Sequence, residues 1–352
     1  MLLNNRKLFV VIGWIFLLTV LVSAVSPDRI PYFFATHSHN DYLQPRPLLD
    51  ALESGMASVE ADVYYVELLF RDDKGKERVM KNLYVAHDWE SVEGISPYWT
   101  TCGTLQYSYL DPLREIYTKR GGMIYPRRPL LLHIDFKTDV EKTWRLLQNI
   151  LRSYPPGLFT RFDQVNRVVI PGAVTIYTSH EPGPEVLAEY PILWSTVDGR
   201  YGNIYDPNTW ESPEYLDKKW RTVIVSSNLR AYNDETKFWD FLVPQDEIIK
   251  EYGEKYSTLA EDFWKTLRAN KWELANELVN AGKIKVSEYL VEQMWKAEEL
   301  GEKYGHIMRF WAPPDAPYFW KILAPLKHVV ILTDHPKELA NWLWANGYKM
   351  DE

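Results

Sequence analysis

Cysteine is almost missing from these 352 residues: Cys102 stands alone, so no intramolecular disulfide can staple the fold and stability has to come from a buried core. An excess of basic charge is missing too. With 48 acidic against 40 basic side chains the net charge is −8, which repels phosphate polymers and argues against nucleic acid as a partner. The sequence has no internal repeat and no low-complexity segment, which sets aside solenoids and unstructured linkers. Long apolar runs are confined to residues 8–22, fifteen residues without a charge. A membrane span needs about 20.

What is present is ordinary for a folded chain with a large core: 46% hydrophobic and 25% charged residues. The length would allow two domains, but an α/β barrel uses about 250 residues or more as one unit. Aromatic residues make up 14%, with 15 Trp and 23 Tyr, a content that suits a lipid or sugar site but more often reflects packing. Arg6 and Lys7 before the apolar run, and Val22-Ser23-Ala24 after it, have the layout of a secretory leader over residues 1–24. The expected mature start is near Val25, which makes the protein secreted or extracytoplasmic. An uncleaved anchor through residues 8–22 is the alternative. Loss of Arg6 and Lys7 with the leader takes the charge from −8 to −10, so charge alone gives no attraction to an anionic membrane.

After the leader, short apolar runs alternate with helical patterns. The runs fall at 32–37, 57–66, 82–88, 130–137, 173–179, 191–198, 221–227, 306–312 and 328–334. Helical spacing falls at 47–55, 139–153, 184–190 and 336–346. Strands alternating with helices imply parallel strands joined by crossovers, and about eight such units close a (β/α)8 barrel with its site at the C-terminal strand ends. The expected fold class is therefore α/β, one barrel over 32–348 with extra peripheral helices. Residues 245–305, rich in Glu, Lys, Leu and Trp at helical spacing, are expected to supply those helices.

Polar groups collect at the ends of the runs. His37-Ser38-His39-Asn40-Asp41 closes the first, Glu60 and Asp62 lie in the second, His87-Asp88 closes the third, and Asp135-Phe136-Lys137 closes the fourth. Residues i and i+2 of a strand share a face, so His37 with His39, Glu60 with Asp62, and Asp135 with Lys137 project as pairs toward one pocket. Taken singly, each has a bland reading: an E-x-D is more often a surface salt-bridge element, and a lone His a satisfied core residue. His133 is set aside on that ground, as lying a layer deeper than Asp135, and His180, His306, His328 and His335 are left structural or exposed. The conjunction reverses the odds, because buried unpaired charges are tolerated where they bind something. Glu60, Asp62 and Asp135 as oxygen ligands suit one Mg²⁺ or Ca²⁺, Lys137 can offset an anionic substrate, and two histidines can act as base and acid near neutral pH.

The segments THSHNDY, PLLDALESGMASVEADVYYV, LYVAHD, LLLHIDFKTD, AVTIYT, RFWAPPDAPYFW and VVILTDHP together resemble the phospholipase C-like phosphodiesterase superfamily, which includes glycerophosphodiester phosphodiesterases and sphingomyelinases D. HSHNDY and DFKTD most resemble the branch named after the altered inheritance of mitochondria protein 6. The resemblance runs in order over about residues 32–340. It implies a distorted (β/α)8 barrel, a single Mg²⁺ or Ca²⁺, and cleavage of a phosphodiester, lipid-derived or small. It further implies that His37 and His87 are the catalytic histidines, Glu60, Asp62 and Asp135 the metal ligands, and Lys137 a phosphate-binding lysine. Two departures mark this chain off. Where glycerophosphodiesterases carry His-Arg-Gly it has His37-Ser38-His39, so an arginine contact to phosphate is absent, with Asn40 or His39 as substitute donors. The disulfide-held loop of the venom enzymes is absent as well.

Two other readings compete. His37-x-His39 can be taken as the metal pair of an amidohydrolase or PHP-type metallohydrolase, completed by Asp334 and holding zinc or manganese. Alternatively the barrel binds a phosphorylated ligand without turning it over. Neither the headgroup, nor the oligomeric state, nor contact with a membrane surface is fixed by the sequence.

Overall fold

The computed structural model describes residues 33–87, 103–228, 242–244, 284–286, 288–311, 313 and 315–348. Residues 1–24 expected as a leader, Asp88, Cys102 and the whole stretch 245–283 lie outside the described residues. Fourteen strands are described: β1 (Phe33–Ser38), β2 (Met56–Arg71), β3 (Glu77–Val85), β4 (Leu130–Phe136), β5 (Arg161–Asp163), β6 (Val168–Ile170), β7 (Val174–Thr178), β8 (Ile192–Leu193), β9 (Thr196–Val197), β10 (Ile224–Asn228), β11 (Leu242–Pro244), β12 (Ile284–Val286), β13 (Ile307–Trp311) and β14 (Ile331–Thr333). Between them lie the helices α1 (Leu49–Glu53), α2 (Asp111–Lys119), α3 (Val140–Arg152), α4 (Pro184–Ala188), α5 (Pro213–Lys218), α6 (Glu288–Tyr304), α7 (Pro317–Leu323) and α8 (Pro336–Ala345).

The principal sheet runs β14-β1-β2-β4-β7-β9, all parallel, with β3 added to β2. Parallel strands packed on both faces read as near-continuous apolar runs. That is the pattern of β4, where six of seven residues are buried, and of the first nine residues of β2. Beyond β9 the ladder is carried on by backbone bonds, from Gly199 N to Ile224 O at 2.9 Å and from Ser226 N to Gly199 O at 3.2 Å. Strand β10 pairs in parallel with β13, and Val330 N donates to Met308 O at 2.9 Å just before β14. The fold is thus α/β with a curled parallel sheet and helices packed outside it.

Helix α3 shows why the crossovers sit where they do. Asp139 caps it by accepting from Lys142 N at 2.9 Å, and Trp144, Leu147 and Leu151 bury one face at helical spacing. Gln148 on that face is satisfied twice, by donating to Ser195 Oγ at 2.8 Å and accepting from Trp194 N at 2.8 Å, which ties the helix to the chain entering β9. Gly55, at φ 74° just past α1, supplies the left-handed turn that returns the chain into β2. A single apolar cluster extends from Tyr42 to Leu343 and contains the buried faces of α3, α7 and α8.

Three expectations change. The described part of the run 82–88, residues 82–87, falls in β3 and its exit, an antiparallel hairpin arm on β2, because only a five-residue turn separates the two strands and a parallel crossover needs a dozen or more. The run 191–198 divides: β8 joins the small antiparallel sheet β6-β5-β8, and β9 alone joins the principal sheet. Of the stretch 245–305, α6 is helical as expected, but 284–286 is a strand paired antiparallel with β11, where Ile284 and Val286 favour extended backbone.

Candidate active site

Register places the polar pairs in one row. Asp62 lies opposite Asp135 and Glu60 opposite His133 across β2 and β4, while His37 lies opposite Ser58 across β1 and β2. After Ser38 the chain turns at Asn40, whose φ of 47° is a left-handed value that Asn tolerates. Asp41 then ties the turn down from inside, accepting from Leu48 N, Ser38 Oγ at 2.9 Å and Tyr109 Oη at 3.0 Å. A pocket of about 200 Å³ opens at the C-terminal ends of the strands, lined by the carboxylates Glu60, Asp62 and Asp135, the cations Lys137, Arg200 and Arg309, the histidines 39, 87 and 133, Asn40 and Trp311.

The carboxylates differ in how they are held. Glu60 is buried, which alone would raise its pKa, but Arg309 Nη2 at 3.1 Å and the histidines around it hold the carboxyl well below its usual range. Burial, reinforced by Glu60, pushes Asp62 up, although Lys137 Nζ lies 3.0 Å away and Tyr42 Oη donates at 2.8 Å. Asp135 is also desolvated, yet His133 and a 2.7 Å contact from Lys137 bring it below the ordinary value. Lys137, bridging two carboxylates, is raised against its own burial. Oxygens of Glu60, Asp62 and Asp135 lie within 4.8 Å of one another, and Asp62 Oδ1 is buried with no hydrogen-bond partner among the described residues. That orphan oxygen among three hard donors is what a divalent cation would satisfy, so the residues present fit Mg²⁺ or Ca²⁺.

Most of the expected site residues meet here, with one at a different depth. His39, Asn40, Glu60, Asp62, His87, Asp135 and Lys137 all line the pocket. His37 lies beneath it, fully buried, with Nδ1 2.7 Å from Ser58 Oγ and Nε2 2.9 Å from Glu60 Oε2. Burial pushes its imidazole down to about 3 despite Glu60, so it is neutral. His39 is the reverse case: burial lowers it, but Glu60 and Asp334, whose Oδ1 is 2.8 Å from His39 Nδ1, raise it above its ordinary value. Asn40 Nδ2 reaches the same Asp334 oxygen at 3.4 Å.

Reading the sequence missed four contributors. His133 reaches the pocket after all, stacked on Tyr177 at 4.6 Å with Nδ1 3.3 Å from Glu60, and it forms with His37 and Glu60 a second group capable of holding a metal. Arg309 and Trp311 come from β13, and Arg200 from the loop after β9. A charged residue inside the apolar run HIMRFWA was the available signal for Arg309; Arg200, in the loop after β9, offered none.

Comparison with known proteins follows the same line. The model of the AIM6-like phosphodiesterase domain matches residues 25–188. The chain is 30% identical over 241 residues to the altered inheritance of mitochondria protein 6 of Candida glabrata, covering 62% of this chain and 51% of that protein. It is 32% identical over 173 residues to the protein of that name from Kluyveromyces lactis, 44% of this chain and 39% of the relative. With the Lachancea thermotolerans protein the identity is 26% over 302 residues, 80% of this chain and 57% of the other. The chain spans about half the length of the curated relatives it matches. The resemblance carried by its motifs is therefore shown: residues 25–188 match the AIM6-like phosphodiesterase domain, and the chain is similar to several proteins named altered inheritance of mitochondria protein 6.

Proposed function

We propose that the protein is a metal-dependent phosphoric diester hydrolase or transphosphorylase acting on a lipid-derived or other small phosphodiester. The observation that supports this most is the meeting of three oxygen donors, Glu60, Asp62 and Asp135, with the cations Lys137, Arg200 and Arg309 in one pocket. The backbone bonds that continue the sheet through β10 and β13 to β14 support closure as an eight-stranded barrel, whose C-terminal face is where such sites lie. Glu60, Asp62 and Asp135 would hold one Mg²⁺ or Ca²⁺, which supplies Lewis-acid polarisation of a phosphoryl oxygen. Lys137 contacts both aspartates, opposing the effect of burial on each, and presents positive charge to the substrate. Replacing Asp62 by Asn should abolish the rise in melting temperature that Mg²⁺ or Ca²⁺ gives the wild type; equal stabilisation of both chains would place the cation elsewhere.

Acid–base work falls to the pocket's histidines. His87 is one. For its counterpart the motifs assign His37, but the geometry favours His39, because Asp334 fixes its Nδ1 and leaves Nε2 for the substrate while His37 is sealed under Glu60. Single replacements of His37, His39 and His87 separate the roles. An acid or base costs about 10²- to 10⁴-fold in turnover with cation binding kept. A histidine that only positions Glu60 loses cation affinity instead.

The nucleophile we propose is a hydroxyl of the substrate, since intramolecular attack carries an entropic advantage. A cyclic phosphate should then form first, visible by phosphorus NMR, and a substrate without the neighbouring hydroxyl should resist cleavage. Equal cleavage of both substrates, with label from heavy-oxygen water in the first product, would mean direct hydrolysis. The rival reading with a His37-x-His39 metal pair is less well supported, because among the described residues His39 joins neither group close enough to share an ion. A barrel that binds a phosphorylated ligand without cleaving it would use the same pocket and shows itself as binding without turnover.

A further inference from the structure

Three strong cations line the pocket, and two of them are already committed. Lys137 contacts Asp62 at 3.0 Å and Asp135 at 2.7 Å. Arg309 is buried, with Nη2 on Glu60 at 3.1 Å and Nη1 3.8 Å from Asp198. Arg200 is different. Its closest carboxylate oxygen is Asp198 Oδ2, 3.5 Å from Nε, and the buried Asp198 carboxylate accepts no hydrogen bond from it or from any other described group. Its guanidinium carbon lies 4.7 Å over the ring of Trp311, the last residue of β13, and its side chain is 34% exposed at the pocket wall.

A guanidinium carbon held over an indole face is attracted by the ring and restricted in position, while N–H groups of its planar fork stay available for hydrogen bonds. That is the arrangement for taking two oxygens of one anion side by side. Charge points the same way. Three carboxylates and three strong cations line the pocket, and Asp198 behind the two arginines is a fourth carboxylate, so a bound divalent ion leaves an excess of one positive charge, the match for a phosphodiester monoanion.

We propose that Arg200, held over the ring of Trp311, is the residue that binds the non-bridging phosphate oxygens of the substrate. It supplies from the loop after β9 the guanidinium contact that His37-Ser38-His39 lacks at the end of β1. This rests on the phosphodiesterase reading of the pocket and adds to it a residue whose work is anion recognition rather than cation binding.

The test uses the whole Mg²⁺-loaded protein and dimethyl phosphate, a phosphodiester with no neighbouring hydroxyl, titrated by phosphorus NMR, with Mg²⁺ affinity measured by calorimetry alongside. Arg200→Ala should weaken dimethyl phosphate about ten- to a hundredfold and leave Mg²⁺ affinity unchanged, the loss expected for charge-assisted hydrogen bonds. Arg200→Lys, which keeps the charge but not the planar fork, should fall between the two, and Trp311→Leu should weaken the probe while Arg200 stays in place. Arg200→Ala binding the probe within twofold of wild type would overturn the proposal and leave the phosphodiesterase reading standing. Loss of Mg²⁺ affinity in Arg200→Ala and Arg200→Lys alike would also overturn it, by making Arg200 a prop of the cation site. A wild type that binds no dimethyl phosphate would remove both readings together.

Discussion

Asp41 shows how a single buried carboxyl can shape both the site and its pH response. Burial pushes its pKa up to about 6 from an ordinary 3.8, against the hydrogen bonds it accepts from Leu48, Ser38 and Tyr109. Between those values the folded chain holds a proton that the unfolded chain has released, so stability falls as pH rises through this window. The difference in unfolding free energy between wild type and Asp41→Asn should shrink by about 3 kcal/mol from pH 4 to above pH 6, measured by urea titration at each pH. A constant difference would mean that Asp41 ionises freely. At this scale the sequence was informative where the two-residue period of a strand decides the matter: Glu60 with Asp62, and Asp135 with Lys137, share a face whatever the register. It was silent on depth. His37 lies below the pocket and His133 reaches it because Glu60 stands between them, hydrogen-bonded to the one and 3.3 Å from the other, a consequence of the β1-β2-β4 register rather than of either residue.

Helix α6 depends on a close approach at Gly301. A Cβ built there would lie 2.5 Å from His328 Cβ and 2.9 Å from His306 O, so the helix can lie this near the start of β14 only with glycine at that position. In an exposed helix Gly→Ala would gain about 1 kcal/mol. Here Gly301→Ala should instead cost about 1–3 kcal/mol through overpacking, seen as a lower thermal midpoint. A raised midpoint would show that α6 has room to move outward. Most elements were legible because apolar runs and helical spacing record burial directly, as in β4 and α3. The β2–β3 arm was not, since a strand's own pattern does not say whether its neighbour runs parallel; the short turn between Arg71 and Glu77 decides it. Nor does composition distinguish the strand 284–286 from the helix that follows it.

Across the whole molecule the charge of −8 sits at odds with a pocket proposed to take an anion, and the contradiction resolves locally. Lys137, Arg200 and Arg309 converge on the strand ends, and a bound divalent ion would add to them. In the function proposed, this pocket cleaves phosphodiesters with a hard cation held by Glu60, Asp62 and Asp135. The group His37, Glu60 and His133, with its ring nitrogens, would favour zinc instead. Turnover of a hydroxyl-bearing phosphodiester by protein stripped with chelator, then supplied with one ion at a time, separates the two most directly. Activity should vanish on stripping and return with Mg²⁺ or Ca²⁺ but not with Zn²⁺. Turnover that survives chelation, or that only Zn²⁺ restores, would contradict the account.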